Sequence, residues 1–139
     1  MSQSQFRPHG HAYIAVDGQV LTVHMHGDWN QEMRTETAQQ MTQHVPKLQE
    51  TGPWAIVNVL HDTLIFDESI YMQTRQSYAQ RPPHSRLCAV AFVIGPNAQG
   101  AGLLRHRFEG LLQDILPAQV FADETQAAQW AQQQITQTR

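Results

Sequence analysis

The 139 residues of this chain predict a single α/β domain built on a mostly parallel sheet. Three observations carry that prediction. Two short runs, WAIVNVL at 54–60 and LCAVAFVIG at 87–95, are apolar with little alternation, as strands covered on both faces are. Segments with apolar residues at helical spacing follow each of them. Asp17-Gly18 sits between two alternating runs and signals a hairpin, which adds one antiparallel pair. The predicted order is ββαβαβαβα, with right-handed crossovers between parallel strands.

Residues 1–10 are polar and read as a flexible N-terminal segment, so the domain is expected over 11–139. In HAYIAVDGQVLTVHMHG, Ile14, Val16, Leu21, Val23 and Met25 share one face, the core face. A helix follows, with Asn30 or Asp28 as its cap and Met33, Thr37, Met41, Val45 and Leu48 at helical spacing. Pro46 has no N–H to donate and is expected to kink or end it. After the first buried strand, a second helix runs through Ile70, Thr74 and Tyr78 and stops before Arg81-Pro82-Pro83. A third carries Leu104, Phe108, Leu111, Leu112 and Ile115, with its end expected at Pro117. A short strand at 119–122 and an Asp123-capped helix with Ala127, Ala128, Ala131 and Ile135 inward complete the chain.

Composition narrows the function classes. Charged residues make up 15% and the net charge is -3, so no nucleic-acid partner is expected. No apolar stretch approaches the ~20 residues of a membrane span, and the first residues lack a signal-peptide apolar region. A cytoplasmic protein is the expectation. The lone Cys88 lies in an apolar run and reads as a buried thiol. No nucleophile–base signature is legible, so no enzyme and no cofactor are expected. Gly95 to Gly102 precedes a helix but lacks both the P-loop ending and the dinucleotide spacing. Arg105, His106 and Arg107 read as a solvated helix face, or one for an acidic partner. Trp54, Phe108 and Trp130 read as core or interface.

Particular residues at the joints of this order resemble the STAS family, and most closely its SpoIIAA-like branch, relatives of anti-sigma-factor antagonists. Gly27-Asp28-Trp29-Asn30 is similar to that family's turn into the first helix. Phe66-Asp67-Glu68-Ser69 is similar to the Met-Asp-Ser-Ser-like loop before the second helix. FADETQAAQW, 121–130, is similar to its acidic, Ala-rich end with a Trp. The likeness spans roughly residues 11–135. It implies a regulatory module that binds a protein partner through Asp67, Glu68 and Ser69. In antagonists the Ser directly after the Asp is phosphorylated by a partner kinase. Glu68 stands at that position, so the switch is expected to be lost or fixed in one state. A Glu is permanently charged, whereas phosphoserine carries ~-1.5 to -2 only on demand. Ser69 aligns with the second Ser, but Ile70 follows where antagonists have Gly.

The same three residues also have a purely structural reading. Asp67 accepts from a first-turn N–H, Glu68 favours the helix dipole, and Phe66 and Tyr71 form a hydrophobic staple. The histidines form a second pattern, His9-x-His11 and His24-x-His26. A two-residue turn at Asp17-Gly18 pairs His11 with His24 and His9 with His26, all pointing away from the core face. Such a cluster suits metal- or pH-responsive binding, although a plain solvated face is the more common outcome and no metal is expected.

Two functions therefore stand as expectations. One is a protein-interaction module whose exposed faces, poor in charge and rich in Gln and Met, are compatible with a homodimer. The other, implied by the resemblance, is a SEC14-like carrier of a small apolar ligand or lipid, because SEC14-type lipid-binding domains resemble this branch in strand and helix order. An internal apolar cavity, for instance beneath the helix of Pro46, separates the two: a dry, filled core excludes the carrier, and a pocket of ~300 Å³ or more favours it.

Overall fold

The structure, a computed structural model, describes residues 11–27, 30–61, 68–95 and 101–138. Its elements follow the predicted order: β1 (His11–Asp17), β2 (Val20–His26), α1 (Gln31–Thr51), β3 (Trp54–Leu60), α2 (Glu68–Ala79), β4 (Leu87–Ile94), α3 (Ala101–Leu111), β5 (Ala118–Phe121) and α4 (Glu124–Thr138). The five strands lie in the spatial order β1-β2-β3-β4-β5. β1 and β2 are antiparallel, and the remaining neighbours are parallel.

That monotonic order decides where the helices go. Crossovers of one hand between successive neighbours place their helices on one face of the sheet. Accordingly Met33 and Leu48 of α1, Ile70 of α2, and Phe108 and Leu111 of α3 pack with Leu21, Val23, Ile56, Val90 and Phe92. α4 has no strand after it and covers the opposite face, where Ala127, Ala131 and Ile135 meet Ala55, Val57, Ala89 and Ala91. Both faces of β3 and β4 are thus dry. This is why β3 is buried throughout and reads as an uninterrupted apolar run.

Several local expectations need correction. The hairpin turn is Gly18-Gln19, one residue later than predicted, with Asp17 paired to Val20. Gly18 takes the left-handed conformation at φ 61° that the first loop position requires. The Gln19 amide donates to the carbonyls of Leu48, Gly52 and Pro53, which ties the turn to the end of α1. α1 does not end at Pro46 but runs on to Thr51. Pro46 is exposed on its outer face, so the one carbonyl it leaves without a helical partner can face water, while Leu48 beyond it is 3% exposed. α3 ends at Leu111, earlier than predicted. Tight turns take over, Ile115 N–H donating to the Leu112 carbonyl, and Asp114 adopts φ 67°, which Asp tolerates better than most side chains. Arg75 of α2 caps that end by donating to the carbonyls of Leu111 and Gln113. β5 starts at Ala118, one residue before its predicted start.

Other expectations hold. Asn30 is the cap of α1, accepting from the Met33 N–H at 2.9 Å, and Asp123 caps α4 by accepting from Thr125 and Gln126. Trp54 and Phe108 are core residues, and Trp130 is half-buried against Phe121. Cys88, expected to be buried, is only half-buried, and that partial burial pushes its thiol pKa up. The exposed faces are not rich in Met as expected: among the described residues Met25 and Met33 belong to the core and Met72 alone is exposed. Asp28, Asp67, Phe66 and His9 lie outside the described residues, as does the side chain of Leu104. Among the described residues, no helix is long and apolar enough to cross a membrane.

Candidate functional sites

Two surfaces gather the residues singled out from the sequence. The first is the start of α2. Glu68 opens the helix, and its Oε1 accepts from Arg107 Nη2 of α3 at 2.7 Å. The Arg107 guanidinium lies over the Tyr71 ring, 4.1 Å from its centroid, and the Tyr71 hydroxyl donates to the Arg107 carbonyl at 2.9 Å. Glu68 thus does more than favour a helix dipole: with Arg107 and Tyr71 it clamps α2 to α3. The hydrogen bond that Arg107 donates to Glu68 raises the Arg107 pKa above its ordinary value. Ser69, the next residue, is exposed. Arg107 belongs to the basic trio read as a solvated face. Its reach to Glu68 depends on how two distant helices pack, and no local spacing announces it.

The second surface is the hairpin face turned away from the large core. With the turn one residue later, His11 pairs with His26, and Tyr13 pairs with His24. The expected pairing of His11 with His24 is therefore wrong. Moving the turn by one residue slides the partners by two, which preserves which face each side chain takes. His11, His24 and His26 do share the face opposite Leu21, Val23 and Met25, as predicted.

The structure adds His61, which the sequence pattern missed. β2 and β3 are parallel with His24 beside Val59, and the His61 N–H donates to the Met25 carbonyl. His61 thereby continues the face of Val57 and Val59 and lands beside the hairpin imidazoles. The rings form a ladder. His11 stacks on His26 at 5.3 Å, and His26 on His61 at 4.2 Å with planes 2° apart. His61 meets His24 at 5.1 Å, and His24 meets Tyr13 at 4.8 Å. His24 Nδ1 and His61 Nε2 stand 2.9 Å apart. Among the described residues, no group of three His, Cys, Asp or Glu side chains is placed to hold a metal ion.

Two further features bear on binding. β1 is an edge strand, yet part of its outer edge is occupied: Ala12 N–H donates to Glu36 Oε1 at 2.6 Å, and Ile14 N–H to Gln40 Oε1 at 3.1 Å. Gln40 also donates to the Ala12 carbonyl at 2.6 Å. Side chains of α1 thus take the place a further strand would need. Between the hairpin turn and the second half of α1 lies a cleft of about 380 Å³, open to solvent and lined by residues that include Gln19, Gln43, His44 and Lys47. Beneath α1 itself, Met33, Met41, Val45 and Leu48 pack onto the sheet core.

No protein-family model matches this chain, and no curated protein is significantly similar to it.

Proposed function

We propose that this chain is a non-catalytic protein-interaction module of the STAS/SpoIIAA-like type, acting through the surface where α2 starts beside α3. The observation that carries the reading is the pair of Glu68 and Arg107. A guanidinium facing the first turn of α2 is a natural partner for a phosphate there. In this chain the partner is a permanently charged carboxylate, Glu68, so the surface presents one fixed charge arrangement in place of a reversible one. Ser69, exposed at the next position, belongs to the same contact surface.

The lipid-carrier reading draws less support. Its ligand needs an internal apolar chamber; the cleft beside α1 exceeds ~300 Å³, but it opens to solvent and mixes Gln, His and Lys side chains with Val16 and Leu48, and the side chains beneath α1 pack onto the core.

Affinity capture from native cell extract tests the proposal, using wild type, Glu68→Lys and Arg107→Glu as baits. The expected result is a partner held by wild type and lost from both variants. A capture set identical across all three removes this surface from consideration. Light scattering on the wild type settles whether a second copy is that partner.

A further inference from the structure

We infer that the cleft between β1 and the second half of α1 is a docking site for the free C-terminal end of an extended peptide. The backbone of β1 carries the first part of the argument. Ala12 and Ile14 turn their N–H groups to the outer edge of the sheet, where Glu36 and Gln40 accept them, and the Ala12 carbonyl there accepts from Gln40. These directions alternate along an antiparallel strand, so Val16 turns its N–H and carbonyl to the same edge. Among the described residues no side chain of α1 bonds to either group. The edge is thus plugged at two positions and open at the third. An incoming strand can pair with Val16, but Gln40 stops it at Ile14. A chain running along this edge therefore enters from the end lined by Gly18 and Thr51 and terminates against Gln40.

The charge of the cleft decides which terminus ends there. Its described lining holds Lys47 and His44 and no carboxylate. The two are three residues apart on α1 and share one face of the helix. Among the described residues neither side chain has a hydrogen-bond or ion-pair partner. A terminal carboxylate suits the Lys47 ammonium and a His44 N–H, whereas a terminal ammonium would meet a like charge. Val16 is 40% exposed and stands with the buried Leu48 in the same cleft, which gives the last side chain of the peptide an apolar seat. The walls are already in place: the Gln19 amide ties the hairpin turn to the carbonyls of Leu48, Gly52 and Pro53. Strand pairing at one residue combined with capture of a carboxylate is a recognition mode for short peptide ends. This site lies apart from the Glu68 and Arg107 surface and does not rest on it.

The test is amide-resolved nuclear magnetic resonance of the purified full chain, titrated with a pool of acetylated tetrapeptides that end in Val, Leu, Ile or Phe. One pool carries a free C-terminus, and its control is amidated. The free-acid pool should shift the Val16 and Gln19 amide signals saturably, at concentrations at least tenfold below those the amidated pool needs. Lys47→Met should weaken the free-acid pool at least tenfold and bring it level with the amidated one. Lys47 is exposed, so this variant keeps the fold, which circular dichroism checks. Glu68→Lys, on the other surface, should bind the peptides as wild type does. Equal responses to the two pools overturn the proposal, as does an unmoved Val16 signal at millimolar peptide. Acetate that matches the peptides also overturns it, because pairing at Val16 then contributes nothing.

Discussion

The two faces of this sheet are closed by opposite means. One is covered by three helices and filled with large side chains, among them Leu21, Met33, Ile56, Phe92 and Phe108. The other is covered by α4 alone, which approaches on alanines: Ala127 and Ala131 against Ala55, Ala89 and Ala91. A helix about 10–12 Å across covers roughly two strands spaced 4.7–4.9 Å apart. α4 packs mainly over β3 and β4, so β1 and most of β2 keep a bare half-face. The imidazole ladder stands there. The difference teaches that exposure on this molecule follows from helix count per face, not from how apolar each strand is.

The comparison can be broken most strongly on the large-residue face. Phe92 is 2% exposed and packs on Phe108 with ring centroids 4.8 Å apart. Phe92→Ala should cost about 3–5 kcal/mol in urea unfolding. The alanine face should fail by crowding instead of by emptiness. Ala131 is fully buried, and Ala131→Leu should cost about 1–3 kcal/mol. If Ala131→Leu is neutral, α4 does not approach as closely as its alanines imply.

The edge beside the bare half-face is the next target. Gln40→Ala removes an acceptor from Ile14 N–H and a donor to the Ala12 carbonyl. A loss of about 1–2 kcal/mol is expected, together with concentration-dependent association in size-exclusion chromatography as the edge opens.

Tyr78 offers a pH test of the large-residue face. Burial pushes its pKa up to about 12, against the opposing effects of a hydrogen bond with Asn58 and of Arg34. The unfolded value is about 10, so folding favours the neutral phenol. Its contribution is intact below pH ~10 and is lost as pH rises from there toward 12. Tyr78→Phe should flatten the stability curve over that window relative to wild type. An unchanged slope would show that the phenol is not desolvated.

The smallest effect belongs to the open half-face. Tyr13 is 47% exposed, and Tyr13→Ser should shift stability by no more than about 0.5 kcal/mol. A larger loss at high protein concentration only would reveal a second chain lying on that face.

Much of this architecture was legible in the residues. The period-2 pattern of the hairpin and the continuous apolar runs of β3 and β4 identify strands, because side-chain burial dictates residue type directly. The caps Asn30 and Asp123 are visible for a similar reason, since a side-chain oxygen must stand at that one position. Legibility failed where a local signal competed with a distant partner. Asp-Gly favours one turn, but the amide of Gln19 bonded to Leu48, Gly52 and Pro53 goes with the next. Pro46 argues for a helix end, but burial of Leu48 goes with a helix that runs on to Thr51. Gln40 and Gln49 look like generic polar surface, yet Gln40 ties α1 to β1 and Gln49 accepts from Trp54 and Arg86.

The sequence by itself determined which segments form strands and helices, which face of each turns inward, and that His11, His24 and His26 share a side. Those are properties of neighbouring residues, set by backbone periodicity and the transfer of apolar groups from water. Tertiary structure alone decided that Glu68 meets Arg107 and that His61 joins the hairpin histidines. Each depends on the packing of elements separated by more than thirty residues, through the crossover geometry of a parallel sheet, and no local pattern encodes that distance.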